Sequence, residues 1–417
     1  MAASGDNTER PGRMVLPNGL VSLTVERESC PLVAVMLMYR AGSFHDPPRR
    51  TGLAHLVEHM MFRGTPRFPH GALDHLTGAL GGVNNAMTTG DHALYYFVLP
   101  AEHWRTPLEI EADRMRNCVF DTRALETERR VALEERMMLD DDPESRLFEA
   151  VDAMALTEHP YRFPVVGLAK DLRRMSVTDL RRFYEERYVP GNAVLSVVGG
   201  VERSRVEDAV LRLFGGIRGD MPGPETVCDE PPVSAPRSRS LRDGSATPRL
   251  VTAFHSPGAT EPDSPAMDII ATLLSSGRSS RLYGRLVEGS GLASEVTASR
   301  LIQRDPSLFY VSATLHSGSS AEDCEREILQ ALRELIERDV PPEELRKAKD
   351  LTMVDALLSR ETCLGAAGAL GFWELLGGWE LEAEYEASLD ALDAAAVRRA
   401  AASYLRPETR STVWLEH

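Results

Sequence analysis

The feature that most constrains this 417-residue chain is a pattern written twice. Residues 31–64 read "PLVAVMLMYRAGSFHDPPRRTGLAHLVEHMMFRG", and residues 249–277 read "RLVTAFHSPGATEPDSPAMDIIATLLSSG". Each runs through an apolar strand, a turn of small residues, an acidic loop with proline, and an apolar helix that ends at glycine. A repeated strand-and-helix unit predicts a duplicated α+β fold, with each copy building its own core. The length agrees, since a chain of this size ordinarily divides into two domains of about 200 residues each.

The division falls at "GGIRGDMPGPETVCDEPPVSAP", residues 215–236, where Gly, Pro and charge replace any hydrophobic period. The expected arrangement is therefore an N-terminal domain at 1–214, a linker at 215–236 and a homologous C-terminal domain at 237–417. Before the linker, "LVSLTVERE", "LVAVMLMYRAG", "ALYYFVL" and "NAVLSVVGGV" read as strands, alternating with helical stretches at 102–118, 122–140, 176–187 and 203–213.

Composition narrows the function classes. The net charge of −16 is spread along the chain without a basic block, which argues against nucleic acid or an anionic membrane as the main partner. Five widely spaced cysteines include no C-x-x-C pair, so neither a disulfide framework nor a cysteine zinc site is indicated. The start, "MAASGDNTERPGRM", has no apolar h-region, and the apolar run at 31–39 is too short to span a bilayer. These readings predict a soluble, reducing, cytoplasmic setting.

The first copy carries what the second lacks. In "GLAHLVEHMMF", His55 and His59 are four apart and share a helix face, with Glu58 beside them. Two imidazoles can converge on a zinc ion, and an adjacent carboxylate can take a proton from a water held there. H-x-x-E-H is the inverted form of the H-E-x-x-H zinc-peptidase helix. Two histidines and a glutamate among Leu, Val, Met and Phe are costly to bury without such a purpose. The aligned helix of the second copy offers Asp268 and no histidine. A further ligand is sought on another helix, and "ALETERRVALEERMMLDDDP" at 124–143 is rich in carboxylates. Glu128 and Glu135 are seven apart and share a face, while Glu134 turns towards solvent. Read alone, that helix is an acidic solvated face; read with the first, Glu135 is the ligand and Glu128 an outer carboxylate.

At these residues the chain resembles the inverted-motif zinc peptidases of the pitrilysin and insulysin type, which include the mitochondrial processing peptidases. "AGSFHDPPRRTGLAHLVEHMMFRGT" is similar to the family's signature region, with His55, Glu58 and His59 on its motif positions. Glu135, with Glu128 before it, falls where the family places its last ligand. "GGVNNAMTTGDHALYYF", "HPYRFPVVGLAKDLRRMSVTDLRRFYEERYVPGNAVLSVVGGV" and "AMDIIATLLSSGRSSRLYGRLVEGSGLASEV" match further family blocks in order. The resemblance implies two homologous α+β domains forming half of a clamshell, Zn2+ on the first only, and a peptide substrate added as a strand near Asn85 and Ala86.

One departure matters. Family members that build a complete site place an arginine and a tyrosine in the second half, where they contact substrate and stabilise the oxyanion. Here those positions hold Val287 and Ser294, with Arg285 and Tyr283 out of register. The resemblance thus implies the metal-bearing half of a pair, completed by a homologous metal-free subunit. The alternatives are a self-sufficient homodimeric peptidase and a scaffold subunit that keeps the fold without catalysis.

Overall fold

The structure, a computed structural model, describes residues 10–219, 221–223, 228–243 and 247–416. Two strand-rich segments account for its two sheets. The first holds β1 (Gly12–Val15), β2 (Val21–Glu26), β3 (Leu32–Tyr39), β4 (Val83–Thr88), β5 (Ala93–Pro100) and β6 (Ala193–Gly199), in the order β1-β2-β6-β3-β5-β4. The second holds β7 (Arg237–Arg242), β8 (Arg249–Ser256), β9 (Ala293–Arg300), β10 (Ser307–Leu315) and β11 (Ser411–Glu416), in the order β7-β11-β8-β10-β9.

The duplication is visible in this topology. β2-β6-β3-β5-β4 and β7-β11-β8-β10-β9 have the same strand order. Each sheet also contains one parallel pair at the corresponding place, β2 with β6 and β7 with β11, while its other pairs are antiparallel. The mixed α+β architecture in two sheet-containing units is the one the repeat predicts.

The units are not the contiguous halves expected at 1–214 and 237–417. By their contacts, the first comprises Met1–Leu133, Val165–Glu225 and Leu358–Glu380, and the second comprises Glu134–Pro164, Thr226–Leu357 and Leu381–His417. Two segments are exchanged, and the reason lies in the central strands. Every residue of β6, and all of β3 but Leu32, is buried. A strand buried on both faces needs cover on both. Val33, Val35, Leu37 and Tyr39 of β3 face the main core of the first unit. Ala34, Met36 and Met38 face the other way, against Ala366, Ala367 and Leu370 of the helix Cys363–Leu376. Gly371 allows the close approach, because a Cβ there would come within 2.8 Å of the Met38 sulfur. In the second unit the helix Pro143–Ala155, absent from the expected helices, packs on β8 and β11.

The other expected helices are present as Arg105–Asn117, Thr122–Asp141, Val177–Arg187 and Arg203–Phe214. The described part of 215–236 contains neither helix nor strand, and residues 220 and 224–227 of that linker lie outside the described residues. So do residues 1–9 of the start. Among the described residues no helix is long and apolar enough to cross a membrane.

Candidate metal centre

The helix Leu53–Met61 carries the H-x-x-E-H motif. Leu53, Ala54, Leu56, Val57, Met60 and Met61 are buried in the first core, which fixes the helix's orientation. Its start is built from outside the motif. Gly52 sits at φ +87°, and a Cβ there would meet the Val166 carbonyl oxygen at 2.3 Å, so only glycine fits. The Asp46 carboxylate accepts from the backbone N–H groups of Gly52 (2.6 Å) and Ala54 (2.8 Å), serving the orphan donors of the first turn. Thr51 Oγ1 donates to Asp171 at 2.8 Å and accepts from the Leu168 N–H at 3.0 Å.

With the helix so placed, His55 is buried and Glu58 and His59 are half-buried. The rings of His55 and His59 lie 4.6 Å apart, centroid to centroid. The helix Thr122–Asp141 brings Glu135 to them, and the ligand atoms of His55, His59 and Glu135 all lie within 4.8 Å of one another. Glu134 is exposed. Two turns earlier on the same helix, the Glu128 carboxylate lies 3.1 Å from His59 Nδ1 and also takes the Arg63 guanidinium. Burial opposes ionisation of Glu128, but His59 and Arg63 outweigh it and hold the carboxyl below its ordinary value.

The opposite wall is β4. Thr88 Oγ1 donates to Glu58 Oε2 at 2.6 Å. Asn85 and Ala86 lie within this edge strand. Asn85 is exposed, and its Oδ1 accepts the Ala86 N–H at 2.9 Å.

Two imidazoles, a carboxylate and a second carboxylate on the far nitrogen of one imidazole form a donor set that suits a divalent cation such as zinc. The residues present fit the group the motif implies.

"Insulinase (Peptidase family M16)" matches residues 22–167, and "Peptidase M16 inactive domain" matches residues 174–352. The chain belongs to peptidase family M16. Among its M16 relatives, zinc protease PqqE of Helicobacter pylori is 26% identical over 408 residues, 97% of this chain and 92% of that protein. The probable mitochondrial-processing peptidase subunit beta of Arabidopsis thaliana is 26% identical over 402 residues, 94% of this chain and 75% of that one. The crystal structure of a protease from Helicobacter pylori has a TM-score of 0.93 at 25% identity, covering 98% of this chain and 100% of that one.

The M16 chain's second unit shows how the out-of-register residues are used. Arg285 pairs with Glu334 at 2.7 Å and Glu327 at 3.5 Å. Tyr283 and Val287 pack against the second core, and Ser294 Oγ donates to the Thr314 carbonyl. Sequence reasoning did not single out Thr88, Arg63 or Asp46. Arg63, one turn after His59, carries a periodicity signal; Asp46 lies in the loop just before the helix without a helical spacing, and Thr88 meets the helix only through tertiary folding.

Proposed function

We propose that this chain is the metal-bearing subunit of a zinc-dependent endopeptidase that hydrolyses unstructured peptides, leader or precursor segments among them. The observation that carries the proposal is the convergence of His55, His59 and Glu135 within 4.8 Å. These three would hold Zn2+, with Glu128 steadying the His59 ring. When bound, the ion supplies Lewis acidity to a water and to the scissile carbonyl. Glu58 takes the water's proton and passes it to the leaving amine. Thr88 orients the Glu58 carboxylate by its 2.6 Å hydrogen bond to one oxygen. Asn85 and Ala86, on the edge strand, align the peptide backbone by strand addition.

A homologous metal-free subunit supplies the arginine and tyrosine whose positions here hold Val287 and Ser294. A preorganised oxyanion donor is worth about 3–4 kcal/mol, so a lone chain lacking both is expected to be nearly inactive. The same two replacements favour a second reading, a non-catalytic scaffold of M16 fold. One experiment separates them. Glu58→Gln should retain zinc while peptide cleavage, assayed with the partner present, falls by about 10²–10⁴. Glu135→Ala should lose both zinc and activity. A scaffold would bind its partner unchanged in both variants and show no turnover to lose; near-normal cleavage by Glu58→Gln would remove Glu58 as the base.

A further inference from the structure

Two of the five cysteines meet although they stand far apart in sequence. Cys30 Sγ and Cys363 Sγ are 3.4 Å apart, 333 positions from one another in the chain. Neither is in a disulfide. Cys30 ends the short turn before β3, its N–H donating to the Arg27 carbonyl at 2.8 Å, and it is half-buried. Cys363 is buried and opens the helix Cys363–Leu376, the segment the C-terminal half lends to the first unit. The Arg27 guanidinium lies at the helix side of this junction, donating to the carbonyls of Arg360 (3.3 Å) and Glu361 (3.0 Å) and reaching Cys363 Sγ at 4.0 Å.

We infer that Cys30 and Cys363 are a redox clasp, which a low-molecular-weight disulfide closes into a Cys30–Cys363 bond that fastens the exchanged helix to the first sheet. The half-buried Cys30 meets the reagent. Its thiolate attacks one reagent sulfur, the reagent's S–S bond breaks, and one reagent thiolate leaves and takes up a proton. The Cys363 thiolate then attacks the Cys30 sulfur of the mixed disulfide, releasing the second reagent thiol. Two protein thiols are oxidised by two electrons, and one reagent disulfide is reduced to two thiols.

The remaining cysteines are poor competitors. Burial pushes the thiols of Cys118 and Cys324 up to about 12, so they form little thiolate. Partial burial and the acidic neighbours Glu230, Glu158, Asp305 and Asp229 raise Cys228 as well. At Cys363, burial and the Cys30 sulfur outweigh Arg27 and raise this thiol as well, so its part is the second attack, on a sulfur that already lies 3.4 Å away. A cross-link there removes freedom from the unfolded chain across 333 of its 417 positions.

The test exposes the full chain to glutathione disulfide and then counts thiols under denaturing conditions. The count is expected to fall from five to three, with a Cys30–Cys363 peptide in the non-reduced digest and a melting temperature several degrees higher that dithiothreitol returns to the start. The Cys30→Ser variant, altered at a half-exposed site, should keep its four thiols and its melting temperature under the same treatment. Five thiols remaining, glutathione held on Cys30 with Cys363 still reduced, a bond to Cys228, or a Cys30–Cys363 bond that leaves the melting temperature unmoved would each overturn the inference.

Discussion

In the second unit, Asp268 stands at the helix position that aligns with His55, and Arg300 is its partner. Asp268 stands nine residues before Gly277, as His55 stands nine before Gly64. Arg300, the last residue of β9, meets Asp268 through two bonds of 2.7 and 3.0 Å and donates to Ser264 Oγ at 2.6 Å. Its side chain is 1% exposed. A guanidinium thus satisfies the helix face of the second copy, where no imidazole pair exists. Breaking such a pair leaves a carboxylate without its cation, so Arg300→Ala is expected to lower stability by about 3–5 kcal/mol. Replacing both residues, as Arg300→Met with Asp268→Leu, should recover most of that loss. Chemical denaturation of the two variants measures it; equal losses would show that the pair is not what the single change breaks. At this scale the motif residues were legible, because three groups within one helical turn and a half leave a local signature. Thr88 and Asp46 were not, because neither stands at helical spacing from the residue it serves.

Among the elements, β4 is an edge strand, one face of which exposes Val83 (60%) and Met87 (51%) on either side of Asn85. The Ala86 N–H is spent on its neighbour's side chain. Edges of this kind invite another strand. Ala86→Pro brings a rigid ring to the edge where a docking strand would pair, and is expected to raise KM for peptides at least about tenfold while zinc content stays unchanged. An unaltered KM would remove β4 from substrate binding. A second element-scale device ties the linker's end to the loop after Pro143–Ala155. The Glu230 carboxylate accepts from the N–H groups of Thr157 (2.6 Å), Glu158 (2.8 Å) and His159 (2.8 Å), and from Thr157 Oγ1 (2.7 Å). Burial works against the charge, but these four donors prevail and lower the carboxyl from 4.5 to about 2. The folded state therefore binds this proton more weakly than the unfolded chain does. The stabilisation is complete above pH 4.5 and is lost as pH falls towards 2. Acid unfolding of Glu230→Gln is expected to be flatter than wild type across that window, with a lower stability above it; superimposable curves would show that Glu230 contributes nothing.

For the molecule as a whole, the proposed need for a partner rests on Val287 and Ser294. If an arginine and a tyrosine at these positions are what a lone chain lacks, supplying them should raise its activity. Val287→Arg with Ser294→Tyr is expected to raise peptide cleavage by the purified chain at least about tenfold, with zinc binding unchanged, as a gain of oxyanion donors requires. Vigorous cleavage by the unaltered chain without a partner would instead favour self-sufficiency.

What the sequence determined by itself was periodic or local. The repeated strand-and-helix pattern specified two α+β units, the i and i+4 histidines specified a shared helix face, and the seven-residue interval placed Glu128 with Glu135. Tertiary structure alone decided which helix covers which sheet, since strands buried on both faces accept cover from any apolar helix that reaches them. It also decided that Thr88 meets Glu58, that Arg300 meets Asp268 and that Cys30 meets Cys363. Contacts between residues tens or hundreds of positions apart leave no period in one sequence; only the folded path of the chain brings them within reach.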